Sequence, residues 1–410
     1  MKKKNNNGIR EIFVSPQYSN LRICLAVILL VAGVTLIALS ISKTLVTSPG
    51  WVTIESNVKP EESCSGDFIF QYLLGETNQA ANLEQRDITA LYSQAAKTAY
   101  QVFHESESFA GVNNVAYLNS HVNQEVVVPK VLYDAFALLE SHENRAIFFA
   151  PLYAQYLGMF HSDEDHVAQM YDPSRDGDAK AFVDEVLPYL NDETMISLEL
   201  LGNNRVKLFV ADAYLQFAQG KAITTFIDFY WLKNAFIVDY LAQEMINAGY
   251  TNGVISSFDG YQRNLDTANR SYSLNLLDRV EKDVYHAAVM EYVGALSMVS
   301  LRSYPTGDLA VQQYYQWADG RITSCHIDGK DGRSKTAVND LLGYSKTAGC
   351  AEILLQLYPL YVADTLDTQA LQELTVETVY CKDYKIYASD GGISLSGLYD
   401  QDGVSYRKAE

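Results

Sequence analysis

Positive charge is in short supply in this chain. Lys and Arg total 31 against 50 Asp and Glu over 410 residues, a net charge of −19 with an isoelectric point near 4.8. A nucleic-acid binder needs a basic footprint to neutralise phosphates, so that class is set aside. Nine prolines and 24 glycines are too few for collagen-like or low-complexity architectures. Five cysteines are far from a disulfide-dense scaffold, and no CxxC or HExxH spacing signals a preformed zinc site. A Gly-x-Ser-x-Gly elbow and a paired-carboxylate motif are also missing, which leaves a hydrolase without support. No internal repeat is present.

What the chain has is apolar: 48% hydrophobic residues, enough for a sizeable core. Residues 23–42 form an uncharged, mostly apolar run between Arg22 and Lys43. Twenty residues at about 1.5 Å each span a bilayer core of roughly 30 Å. Lys2, Lys3, Lys4, Arg10 and Arg22 precede the run against the single acid Glu11, which predicts a cytoplasmic N-terminal tail and an exported body. A cleaved signal peptide is the alternative, since Ala38-Leu39-Ser40 loosely resembles a cleavage site. Beyond Lys43 the chain carries 25 basic and 49 acidic side chains, net −24. Cys24 falls in the apolar run; Cys64, Cys325, Cys350 and Cys381 fall outside it, where disulfides are permitted.

The expected organisation is a tail (1–22), a membrane anchor (23–42), a stalk (43–65), one α+β domain (66–400) and a short tail (401–410). Strand composition marks 67–74, and apolar spacing predicts an amphipathic helix over 80–104. Residues 115–118 are a short apolar run; 129–141 predicts a helix with Pro129 near its first turn. The acidic stretches 161–165 and 172–178 read as solvated loops. Residues 195–200 and 205–210 predict a hairpin around Gly202-Asn203-Asn204. Helices are predicted over 227–248, closed by Gly249, and over 349–361. Strands are predicted over 253–258, 272–277, 287–296, 376–380 and 384–388, with a tight turn at Asp390-Gly391-Gly392. Helices inserted among mostly antiparallel strands make the fold class α+β.

Five segments in order resemble the ApbE-type flavin transferases (FAD:protein FMN transferases). They are the stretch 103–120, ending near Leu118-Asn119; Ala146 to Leu152, against a Gly-Ala-Phe-Asp-Pro-Thr motif; Ile227 to Asp239, against Gly-Gly-x-Ala-Lys-Gly-x-x-x-Asp; Cys325-His326-Ile327-Asp328 with Gly332, against His-Ile-x-Asp-Pro-x-x-Gly; and Gly349 to Gln356, against Ala-Asp-Ala-x-x-Thr. The resemblance implies Mg²⁺-dependent transfer of FMN from FAD to a Ser or Thr of an exported or membrane redox protein. It implies metal ligands at Glu352, Gln356 and the carbonyl of Leu232, suiting a hard cation. It implies FAD contacts at Lys233, Asn234, Asp259, Gly260 and Ser300, with Lys233 a point charge beside a helix start. His326 is the implied proton acceptor, because an unperturbed imidazole titrates close to neutrality.

The departures from the pattern are chemical. Ala150-Pro151-Leu152 lacks the polar groups of the family's Asp-Pro-Thr; Asn234 adds a Cβ where the family has Gly; Asp259 brings a carboxylate toward an anionic pyrophosphate. Glu352 and Gln356 each reach one methylene further than the family's Asp and Thr. A divergent transferase is therefore weighed against a non-catalytic homologue acting as an extracytoplasmic flavin-binding or protein-interaction module. The resemblance also brings the Cys325 and Cys350 segments to one site, where they would either form a disulfide or remain two separately buried thiols.

The charge asymmetry yields a direct expectation about topology. Protease added to intact protoplasts should digest the large domain and spare the N-terminal tail; an intact, protected chain would refute it.

Overall fold

The computed structural model describes residues 48–307, 313–389, 393–401 and 403–409. The expected membrane run 23–42, with Cys24, and the turn at Asp390-Gly391-Gly392 lie outside them. Among the described residues no helix is long and apolar enough to cross a membrane.

Alternation builds the central sheet. In Phe68–Leu74 the side chains of Phe68, Phe70, Tyr72 and Leu74 are buried while Ile69 and Gln71 are exposed. This strand sits between Gly50–Ile54 and Gly253–Ser257, both antiparallel to it. The sheet continues through Tyr261–Asn264, Leu296–Arg302, Asp340–Ser345, Glu377–Lys382, Lys385–Ala388 and Arg407–Lys408, nine strands in all. Only the last pairing is parallel. Leu296–Arg302 is buried at every position but the last because both faces of the sheet are covered. Val299 and Leu301 join a core with the helices, whereas Leu296 and Met298 join a second core with a three-stranded sheet. That second sheet is Ser271–Val280, Asp283–Val293 and Ser394–Ser396.

Three helices matter for the site: α1 (Ala81–Phe103), α2 (Lys233–Asn247) and α3 (Cys350–Tyr361). They contribute Tyr92, Phe103, Phe236, Leu241, Leu354 and Leu357 to the larger core. A further group of helices surrounds a small sheet of Glu125–Val127, Arg205–Val210 and Ile196–Gly202. Its hairpin turns at Asn203 and Asn204, both with positive φ (51° and 60°), as the asparagines there predict.

Several expectations need correction. The expected stalk contains Gly50–Ile54, an integral strand, and the expected C-terminal tail contains Arg407–Lys408, hydrogen-bonded to the sheet edge. Residues 115–118 open a short helix, Val115–Ser120, because the Asn114 side chain caps it by accepting from Tyr117 N–H at 2.9 Å. The strand read over 287–296 is two strands, broken at Gly294 with φ 75°. The acidic stretches are anchored. Asp165 accepts from Tyr315 Oη (2.8 Å) and Ala318 N–H (3.1 Å), and buried Asp172 lies 3.3 Å from Arg175, whose guanidinium stacks on Trp317. The helix expected from 227 starts at Lys233, after a 3₁₀ turn over Tyr230–Leu232. Cys325 and Cys350 form no disulfide: Cys64, Cys325, Cys350 and Cys381 are all free, buried thiols. The Cys350 thiol instead donates to the carbonyls of Gln262 (3.2 Å) and Met298 (3.4 Å).

One carboxylate joins the layers. Asp239 on α2 accepts from Cys350 N–H and Ala351 N–H at the start of α3, each at 2.9 Å, and from Arg263 on the sheet at 2.6 Å. It caps a helix other than its own. A Cβ on Gly349 would sit 2.4 Å from the Asp239 carboxylate, so the close approach requires glycine. Asp239→Ala is expected to lower stability by about 2–4 kcal/mol, because it strands two amides and a largely buried guanidinium. Asp319→Ala, at an exposed ion pair with Arg321, should leave it almost unchanged. Urea unfolding of the two variants checks the contrast.

Candidate functional site

The segment leading into α2 is held by side chains from far away in sequence. Asn119 accepts from Phe226 N–H (2.9 Å) and Ile227 N–H (3.0 Å) and donates to the Ile227 carbonyl (3.0 Å). Asp228 N–H donates to the Ile147 carbonyl, and the Asp228 carboxylate accepts from Tyr230 N–H at 2.7 Å. Tyr230 has φ 40°, a left-handed conformation that glycine adopts freely and a bulky aromatic residue seldom does. Its ring packs on Tyr153 with centroids 4.9 Å apart. Next to it, Trp231 is 2% exposed and packs on His326 and Tyr358. The segment thus keeps a glycine-like turn while filling the space around it with rings.

Lys233 opens α2 and lines a small cavity of about 240 Å³ with Cys64, Asp67, Tyr100, His104 and Glu105. Burial alone would lower its pKa, but Glu105, Asp228 and Asp67 outweigh that and hold it above the ordinary lysine value. Its ammonium lies 3.7 Å from Glu105. Asp228 is pushed up to about 6, by burial first and Glu105 second, with Lys233 opposing. The lysine's charge is balanced by the protein's own carboxylates.

Asn234, Asp259, Gly260 and Ser300 are brought together. Asn234 Nδ2 donates to Asp259 Oδ2 at 3.0 Å, and Ser300 N–H donates to the Gly260 carbonyl at 2.9 Å. Gly260 has φ 106°, and a Cβ there would meet the Ser300 carbonyl oxygen at 2.4 Å, so no other residue fits. Burial raises the Asp259 carboxyl to about 6 despite hydrogen bonds from Ser257 and Asn234. Two buried oxygens of this pair, Asn234 Oδ1 and Asp259 Oδ1, have no hydrogen-bond partner. Both are acceptors of the kind that repel a phosphate oxygen.

His326 is 4% exposed. Its Nδ1 lies 3.1 Å from Ser324 Oγ, and Trp231 and Tyr361 meet its ring edge-on at 4.8 and 5.0 Å. Burial lowers its pKa to about 3, so at neutral pH it is an uncharged and weakly basic imidazole. Of the implied metal ligands, Leu232 is fully buried at the cap of α2. Glu352 lies in the first turn of α3, partly exposed, with no hydrogen bond or ion pair among the described residues. Gln356, one turn further, is engaged: its Oε1 accepts from Thr375 N–H (3.1 Å) and Thr375 Oγ1 (2.9 Å). Among the described residues no group of three or more His, Cys, Asp or Glu side chains is placed to hold a metal. The N-terminus of α3, an obvious anion seat, is occupied by Asp239. Sequence reasoning passed over Tyr230, Trp231 and Tyr361 as occupants of the site. Their signal was available in Tyr230 and Trp231, which stand among the family's small residues.

The chain matches no family model and no curated protein. Solved structures with a similar fold include an ApbE protein from Thermotoga maritima, 11% identical, covering 85% of this chain and 97% of its own length with a TM-score of 0.56. The flavin transferase ApbE from Vibrio cholerae is 13% identical, covering 84% of this chain and 99% of its own length with a TM-score of 0.52. The expected resemblance therefore holds at the level of the fold, an α+β scaffold of the flavin-transferase type.

The sealed imidazole has a measurable signature. In the unfolded chain His326 should titrate at about 6.5, whereas the folded value is about 3. Its contribution to stability is complete above 6.5 and is lost as pH falls below it. The stability difference between wild type and His326→Gln should shift against the wild type by up to about 1.4 kcal/mol per pH unit below 6.5. Parallel pH profiles of urea unfolding for the two proteins would contradict this burial.

Proposed function

We propose that this chain is a non-transferring protein on the flavin-transferase scaffold, an extracytoplasmic binding module held at a membrane by residues 23–42. The carrying observation is the enclosure of His326 by Trp231 and Tyr361. A general base must reach the proton it abstracts and have a pKa near the working pH. An imidazole 4% exposed with a pKa near 3 meets neither condition.

The residues present also fit poorly to FAD and Mg²⁺. A pyrophosphate needs donors and positive charge; among the described residues the patch of Asn234 and Asp259 leaves two acceptors without a partner, Asn234 Oδ1 and Asp259 Oδ1, while the unpartnered donors Trp231 Nε1, Tyr230 Oη and Tyr361 Oη are buried among the rings. Lys233 faces Glu105, Asp228 and Asp67, and the amides at the start of α3 face Asp239. Tyr230 and Trp231 take up volume where small residues would let a nucleotide approach. Gln356 is tied to Thr375 rather than held toward Glu352.

A divergent Mg²⁺-dependent FMN transferase acting on an exported redox protein is the second reading. It is favoured by Glu352, a carboxylate with no side-chain partner among the described residues near the start of α3.

Release of AMP from FAD separates the two, because transfer or hydrolysis of the FMN moiety must produce it. Full-length protein in detergent with FAD and millimolar Mg²⁺ is expected to release no more AMP than Glu352→Gln. Mg²⁺-dependent AMP release that Glu352→Gln abolishes would establish the transferase reading instead.

A further inference from the structure

A second cavity lies away from this site, on the opposite face of the central sheet. It is an open groove of about 1170 Å³ between the sheet and the three-stranded layer, reaching from Trp51 and Gln71 across Tyr344 to Thr347 and Thr375. Its volume exceeds the roughly 300–1,000 Å³ of pockets that enclose one compact ligand, so it suits an extended one.

Its walls limit the chemistry of the occupant. Trp51 is 49% exposed and meets Tyr272 at 84° with ring centroids 6.4 Å apart, while Tyr272 stacks on Tyr292 at 5.5 Å. The two rings form a right-angled corner, and about half of the Trp51 surface is open to solvent. Around the rings stand the hydroxyls of Ser271 and Ser273 and the amide of Gln71, with Ser345 and Thr347 hydrogen-bonded to each other and Thr375 to Gln356. Among the described residues Lys346 is the only cation lining the groove, against Glu291 and Glu377, so a polyanion is disfavoured. The residues from Phe68–Leu74, Gly253–Ser257 and Asp340–Ser345 are interior strand positions whose backbone groups are already paired. Recognition by strand addition is therefore closed at those positions, whereas Trp51 and Ser271 to Ser273 stand on edge strands of their two sheets.

The geometry points to a neutral oligosaccharide as the occupant of this groove. A pyranose ring has an apolar face of C–H groups that packs on an aromatic ring. Its rim of hydroxyls both donates and accepts, matching Ser, Thr, Gln and Glu side chains. Several sugars in a row use the length of the groove. The inference stands independently of whether the other site transfers FMN.

Tryptophan fluorescence reads the groove directly. The chain has three tryptophans; Trp231 and Trp317 are 2% and 3% exposed, so acrylamide quenching reports on Trp51. Full-length protein in a sugar-free detergent is titrated with cellotetraose, with chitotetraose and with a tetraproline peptide, since aromatic grooves also accept polyproline segments. One or both tetrasaccharides are expected to lower the quenching constant at least twofold. Val293→Arg should abolish the effect without altering quenching of the free protein, because Val293 is 51% exposed at the groove wall. The proposal is overturned if neither sugar protects Trp51 at about 10 mM, ten times the concentration that half-fills a millimolar site. Protection by the peptide alone, or undiminished sugar protection in Val293→Arg, also overturns it.

Discussion

The contact of Asp239 with the start of α3 is the constraint on which the architecture turns. Its two oxygens receive the amides of Cys350 and Ala351, and one also receives Arg263 from the sheet. Helix α2, helix α3 and the strand Tyr261–Asn264 are thereby fixed to one another through a single side chain. The positive end of α3 is satisfied from within the protein, and Gly349 is the residue that lets the carboxylate come close enough. The same contact that stabilises the scaffold removes an anion-binding site from it.

Around that anchor three local features shape the backbone of the site: the left-handed turn at Tyr230, the glycine at 260 pressed against Ser300, and the Asn119 clamp on the segment before α2. On the proposed reading, the side chains at those places do not offer the groups a dinucleotide requires. Rings fill the space around His326, acids surround the lysine, and Asn234 Oδ1 and Asp259 Oδ1 are buried acceptors without a partner among the described residues.

The parts legible in the sequence were those governed by local rules. Alternation in Phe68–Leu74, apolar spacing in Ala81–Phe103 and the asparagine pair at 203–204 each specify their element without reference to the rest of the chain. The joining of Asn234, Asp259, Gly260 and Ser300 into one patch followed from the family resemblance, and the structure assembles it. The strand Gly50–Ile54 was not legible, because five residues with one tryptophan carry little pattern and the pairing partner supplies its stability. The enclosure of His326 was not legible either. It requires Trp231 and Tyr361, 95 residues before it and 35 after it, to meet around the ring, a tertiary arrangement that no local spacing encodes.

The central claim is that the flavin-transferase scaffold here no longer accepts an anionic dinucleotide. Calorimetric titration of the full-length protein with FAD, with and without millimolar Mg²⁺, tests it most directly. The account predicts no saturable heat under either condition. Saturable binding of one FAD per chain that strengthens with Mg²⁺, and that loses its Mg²⁺ dependence in Glu352→Gln, would contradict it.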